Sequence, residues 1–286
     1  MRVAALSLAG LPLGEPADYA AALTSLLKKL QVRLAVLPAH TSFLLCAAQG
    51  HLGEISDFPD SFKAFMQKSK DWNEEYLQLH GRLAVENRLY LVPGTTVEEE
   101  GGHFFITSYL LGPDGKNMGR QRQAHLNREE RGLGLSRGGE LSLFDLAGMK
   151  TGLIIGTDAR HPEVGRILAL EGADLVVHCG ALAAGRELAF QPAGIWAQVQ
   201  QNQFWAVEAQ LGRSMGNRAF GGQCAVIGPC EITPGFTGYL DREAAGKPFA
   251  AAELREADRR RIKSDYPLLK LLRPEAYRGR LPELYR

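Results

Sequence analysis

The side chains able to do chemistry fall in a few short stretches. His178-Cys179 closes the apolar run that starts at Leu175. A thiolate attacks carbon, and a neighbouring imidazole is a common base for making one. Successive strand residues point to opposite faces, so His178 and Cys179 do not both face one pocket in regular geometry. Cys179 is a candidate nucleophile, against the plainer reading of a small buried apolar residue. His40, after Pro38-Ala39, is a candidate base. The run Arg128-Glu-Glu-Arg131, after His125-Leu126, offers carboxylates for acid–base or positioning work. The alternative is a solvated charge run. Thr157-Asp-Ala-Arg-His-Pro-Glu163 adds a hydroxyl, two carboxylates and a guanidinium.

Metal chemistry finds no pattern. The seven histidines are scattered, and none falls in a His-Glu-x-x-His spacing. Cys46, Cys179, Cys224 and Cys230 match neither a zinc site nor a disulfide framework. Free, mostly buried thiols of a cytoplasmic protein are expected, with no metal and no cofactor. Gly132-Leu-Gly and Arg137-Gly-Gly139 lack a phosphate-loop pattern and read as loop.

The elements that must position these residues alternate in type. Apolar runs at 2–8, 34–37, 89–92, 104–111, 150–155, 175–178, 204–210 and 223–227 read as strands. Helical stripes cover Tyr19 to Leu30, residues 61–87, 162–171 and 194–202. On the long second helix Phe62, Phe65, Met66, Trp72, Tyr76, Leu79 and Leu83 share a face. Such alternation predicts an α/β fold with helix-covered sheets. The chain has 286 residues, 45% hydrophobic and 23% charged, with net charge +1. That balance suits a soluble globular protein and gives no electrostatic reason to expect nucleic acid or an anionic membrane as partner. The opening apolar run suits a buried first strand better than a signal peptide, and no stretch has the ~18 apolar residues of a membrane span.

Several segments line up with one family. Gly152-Leu-Ile-Ile-Gly-Thr-Asp-Ala-Arg-His-Pro-Glu163, then a helix, then Gly172-Ala-Asp-Leu-Val-Val177, resembles the nucleophile elbow of the nitrilase, or carbon–nitrogen hydrolase, superfamily. Asp158, Arg160, Pro162 and Glu163 match its wording. Arg122-Gln-Ala-His-Leu126 is similar to its Arg-Lys-x-His-Leu, and Leu34-Ala-Val-Leu-Pro38 to the strand ending in its Pro-Glu. Gln201-Asn202, Gly221-Gly-Gln-Cys-Ala-Val-Ile-Gly-Pro229 and Arg261-Ile-Lys-Ser-Asp-Tyr-Pro resemble later segments in the right order. The resemblance implies a four-layer α-β-β-α sandwich, one domain over residues 1–286 with a C-terminal arm from about 250. It also implies a homodimer or larger homo-oligomer.

The family hydrolyses amides, nitriles or carbamoyl groups with a Cys-Glu-Lys triad: thiol nucleophile, carboxylate base and oxyanion-stabilising cation. By position those residues are here Gly156, Ala39 and Gln123. Losing a nucleophile from a coupled set costs about 10⁶ in turnover. The expectation is a catalytically degenerate member, a pseudoenzyme, that keeps a pocket for a small molecule or serves as a binding or structural subunit. The alternative is an active amidase using Cys179 or His40. His40, Glu130, Thr157 and Cys179 are the expected pocket residues, and Asp158, Arg160 and Glu163 the elbow scaffold. Ala39 and Gly156 are small, so a deepened pocket is expected, its rim in loops 41–59 and 180–192.

Overall fold

The structure, a computed structural model, describes residues 1–53, 55, 57–185 and 187–276. The first half runs β1 (Arg2–Leu6), α1 (Pro16–Leu30), β2 (Leu34–Val36), α2 (Thr41–Ala48), α3 (Phe58–Asn87), β3 (Tyr90–Val92), β4 (Thr95–Glu100), β5 (His103–Leu111) and β6 (Asn117–Arg122). The second runs α4 (Arg128–Gly132), β7 (Leu143–Leu146), β8 (Met149–Ile155), α5 (Pro162–Leu170), β9 (Leu175–Gly180), β10 (Leu182–Ala183), α6 (Glu187–Phe190), α7 (Ala197–Asn202), β11 (Trp205–Gln210), β12 (Ser214–Met215), β13 (Arg218–Gly221), β14 (Ala225–Ile227), β15 (Tyr239–Arg242), β16 (Phe249–Glu253) and α8 (Glu256–Asp265).

Alternation along the strands builds the layers. In β1, Ala4 and Leu6 pack under α1 and α3 with Tyr19, Leu23 and Phe62. Val3 and Ala5 face the other way and meet Leu153, Val177 and Val207 of a second sheet. That sheet in turn sends Ile154, Val176 and Ala206 outward, against Val164 and Leu168 of α5 and Val199 of α7. The central strands β1, β2, β8, β9 and β11 therefore carry apolar side chains on both faces, as strands covered on both sides must. The strand orders are β16-β1-β2-β3-β5-β4, with β6 on β5, and β15-β14-β11-β9-β8-β7. The layers run helix, sheet, sheet, helix, the four-layer sandwich that the resemblance implies.

Local sequence sets the ends. Pro16 opens α1 at a position where its missing N–H costs nothing, and Asp57 caps α3 through the Asp60 N–H. The face read on the second helix is the buried face of α3. Two expectations need correction. Residues 41–48 form α2, not loop: nearly every side chain in Thr-Ser-Phe-Leu-Leu-Cys is buried, so no polar stripe marks a period. The arm expected from about 250 begins later, because β16 pairs antiparallel with β1 along its whole length, Arg2 opposite Glu253 and Leu6 opposite Phe249. Beyond it α8 docks on the domain through Ile262 and through Arg259, which is buried and paired with Asp174 and Glu256. The end of the arm, from 277, lies outside the described residues. Among the described residues no helix is long and apolar enough to cross a membrane.

Candidate functional site

One cavity of about 100 Å³ opens where β2, β8 and β9 end. Ala39, Gln123 and Gly156, which lie far apart in the chain, all line it. Each arrives by a separate device. Ala39 follows β2, and its N–H donates to Gly180 O at 3.2 Å across the gap between the sheets. Beneath it Gly94, at φ 91°, lies so close that an added Cβ would stand 2.1 Å from Pro38 O. Gly156 ends β8 at φ 50° and begins a tight turn, Gly156–Arg160. That turn is held from behind by α7, where Gln198 Nε2 donates to Ala159 O at 2.6 Å.

Asp158 connects the turn to the end of β6. Its carboxylate, 1% exposed, accepts from Ala124 N–H at 3.0 Å, His125 N–H at 2.7 Å and His125 Nδ1 at 2.9 Å. This fixes Gln123 over Gly156. Gln123 Nε2 donates to Thr157 Oγ1 (2.9 Å), His125 O (2.8 Å) and Glu130 Oε2 (3.0 Å), three acceptors sharing two hydrogens. The Thr157 hydroxyl is itself spent on His125 O at 2.5 Å. The Gln123 oxygen faces Gly156, where a Cβ would lie 3.3 Å from it. The carboxamide thus takes up part of the space that a small residue at 156 was expected to open.

Glu130 lines the cavity, whereas Glu129 makes a two-pronged ion pair with Arg218 at 2.6 and 2.8 Å. Glu130 closes a capping box with Asn127 at the start of α4. Burial pushes its carboxyl up to about 7, against the hydrogen bonds from Asn127 N–H and Gln123 that favour the charged form. His40 also lines the cavity, but its ring packs between Phe58, Phe62 and Phe220. Burial, assisted by Arg218, lowers it to about 4, so it is neutral at pH 7.

Cys179, expected as a pocket residue, is not one. On β9 it shares the inter-sheet face with Leu175 and Val177, and its thiol contacts Ser108 Oγ at 3.6 Å. Burial pushes it up to about 12, far from a thiolate at neutral pH. The strand's alternation gives the cavity His178 instead. Arg160, read as scaffold, lies exposed on the cavity wall with its guanidinium 3.9 Å over the Phe190 ring. Asp158 holds the scaffold position just described, and Glu163 is half-buried at the start of α5.

Residues that the sequence reading missed complete the wall. Glu208 on β11 is the register partner of His178 on β9. His178 Nδ1 lies 3.2 Å from Glu208 Oε1, and its Nε2 lies 3.2 Å from Gly156 O. Glu208 also accepts from Gln210 Nε2 at 2.8 Å and Gln191 Nε2 at 3.0 Å. The available signal was a carboxylate inside the otherwise apolar run Phe204-Trp-Ala-Val-Glu-Ala. Glu208 and the Gly156 carbonyl thus flank the two ring nitrogens of His178 and fix the ring on the wall. Among the described residues no cluster of three His, Cys, Asp or Glu side chains could hold a metal ion.

The comparisons agree on the family. A family model described as carbon-nitrogen hydrolase matches residues 19–233. Omega-amidase NIT2-B of Xenopus laevis is 32% identical over 138 residues, 46% of this chain and 50% of that protein. Omega-amidase NIT2 of Homo sapiens is 30% identical over 138 residues, with 46% and 50% covered. The chain thus matches about half the length of these curated relatives. Among solved structures, Saccharomyces cerevisiae Nit3, a member of branch 10 of the nitrilase superfamily, superposes with TM-score 0.76 at 21% identity, covering 95% of this chain and 96% of that one. The carbon-nitrogen hydrolase of Helicobacter pylori G27 gives 0.77 at 19%, covering 98% and 97%. These two likenesses speak to the fold. With most of its length matched by the family model, the chain belongs to the carbon–nitrogen hydrolase family of the nitrilase superfamily.

Proposed function

We propose that this protein is a small-molecule-binding member of the family that does not perform thiol-based hydrolysis. The observation that carries the reading is the composition of one cavity wall. The positions that the resemblance assigns to nucleophile, base and cation hold Gly156, Ala39 and Gln123, and all three face the same cavity. A methyl group accepts no proton, a glycine attacks nothing, and a carboxamide brings no charge to an oxyanion. The cavity remains lined by polar groups, and about 100 Å³ admits a molecule of a few heavy atoms or a few waters.

A second reading, an active amidase working from another constellation, draws on the omega-amidase names of the curated relatives. Its candidate residues serve it poorly: Cys179 faces the inter-sheet core, and the His40 ring is held among aromatic side chains. One assay separates the readings. Wild-type protein is incubated with small terminal amides, nitriles and carbamoyl amino acids, and ammonia release is followed. The first reading expects none above the uncatalysed rate. Release that is lost in Cys179→Ala or His40→Gln would establish the second. We also propose a homo-oligomeric assembly, with the exposed Ile167 and Leu170 of α5 and the exposed Leu271 as apolar surface to cover. Sedimentation of the whole chain tests it.

A further inference from the structure

Among the described residues, the charged side chains on the cavity wall are Glu130, Glu208 and Arg160. On one wall Glu208 is engaged by His178 Nδ1 and by the side-chain amides of Gln191 and Gln210. His40 stays neutral among aromatic rings. Asp158 lies behind the turn and is occupied by His125 and two backbone N–H groups. Arg160 sits exposed, stacked on Phe190. That leaves Glu130. Its hydrogen-bond partners are neutral, the Gln123 carboxamide and the Asn127 N–H, and no lysine or arginine pairs with it among the described residues. A half-buried carboxylate without a paired cation carries a desolvation cost, and a structural wall would do as well with apolar or amide groups.

The surrounding atoms are acceptors too. Gln123 turns its Nε2 away, toward Thr157, His125 O and Glu130, and presents its oxygen to the space over Gly156. The Gly156 carbonyl faces His178 on the same side. Among the described residues no lysine lines the cavity, and its arginine, Arg160, is stacked on Phe190. From this surplus of acceptors we propose that the cavity binds a small nitrogen cation, of amidinium or alkylammonium type, held by Glu130 and the Gln123 carboxamide oxygen. A planar amidinium matches a carboxylate with two parallel N–H···O bonds. The volume of about 100 Å³ suits a molecule of four heavy atoms. The inference rests on the reading that the cavity binds a small molecule, and it names which kind.

The test uses two molecules of nearly one shape, acetamidinium and acetamide, which differ in charge. Binding to the whole protein is followed by calorimetry and by the amide resonances of Gln123 and Gln191. Acetamidinium is expected to bind at least about tenfold more tightly than acetamide, a difference of about 1.4 kcal/mol. Glu130→Gln should remove that preference. Gln123→Lys should abolish acetamidinium binding, since its tethered ammonium takes the ligand's place beside Glu130, and should raise the thermal midpoint. Equal binding of the two probes, or acetamidinium binding that persists in both folded variants, overturns the cation assignment and leaves the small-molecule reading standing. An unchanged or lower midpoint for Gln123→Lys also counts against it. If neither probe perturbs the cavity, the cation assignment falls, and failure of a wider panel of small polar molecules takes the small-molecule reading with it.

Discussion

Gly156 has φ 50°, and a Cβ there would meet the Gln123 oxygen at 3.3 Å. Gly156→Cys is expected to lower stability by about 1–2 kcal/mol through the left-handed backbone, read by chemical denaturation. Alone it should yield no amide turnover, because Ala39 and Gln123 supply neither base nor cation. Glu130 gives a pH-dependent result. Its folded value of about 7 lies above its ordinary value, so the stability it contributes is full below about 4.5 and falls as pH rises toward 7. Glu130→Gln should therefore gain thermal midpoint relative to wild type at pH 8 compared with pH 5, and an equal difference at both would contradict the assignment. At this scale the sequence motifs lead to Ala39, Gln123, Gly156 and Asp158, because each sits inside a recognisable run. They do not lead to Glu208, Gln191 or Gln210, which meet His178 or one another only through sheet register and loop closure.

Among the elements, β2, β8 and β9 act as rails and the turns after them as the site. Gly94 bears the close approach under the first of these turns, at positive φ with Pro38 O and Thr41 Oγ1 in the space of a Cβ. Gly94→Ala is expected to cost about 3 kcal/mol or more and to displace His40, seen as a lower denaturation midpoint. Between the helices α1 and α3, His80 Nδ1 faces Tyr76 O at 2.8 Å and its Nε2 faces the Tyr19 hydroxyl at 3.0 Å. Burial lowers His80, like His40, to about 4. Both keep full stability above about 6.5 and lose it as pH falls toward 4, because the unfolded chain takes up the protons first. His80→Gln should flatten that loss in a pH series of thermal midpoints. Strand alternation made β1, β8 and β9 legible from apolar periodicity, and one-sided burial did the same for α1 and α3. The buried α2 lacked a polar face, and β16 carried a short Phe-Ala-Ala-Ala-Glu run that resembles the start of a tail.

For the whole molecule, the scaffold of the elbow turn is separate from the positions that the resemblance assigns to the triad. The inter-sheet core, α5 and α7 hold the elbow turn whether or not a thiol sits on it, since Asp158 and Gln198 do their bonding behind the turn. That separation explains how a family fold can carry Gly156 at its centre. The ordered motifs made the layers legible in the sequence, whereas the contact of Glu208 with His178 required sheet register to bring them together. The most direct measurement is ammonia release from small terminal amides by the intact wild-type protein, with thiol alkylation as the control. The account predicts no release above the uncatalysed rate, before or after alkylation. Turnover that alkylation or Cys179→Ala abolishes would contradict it.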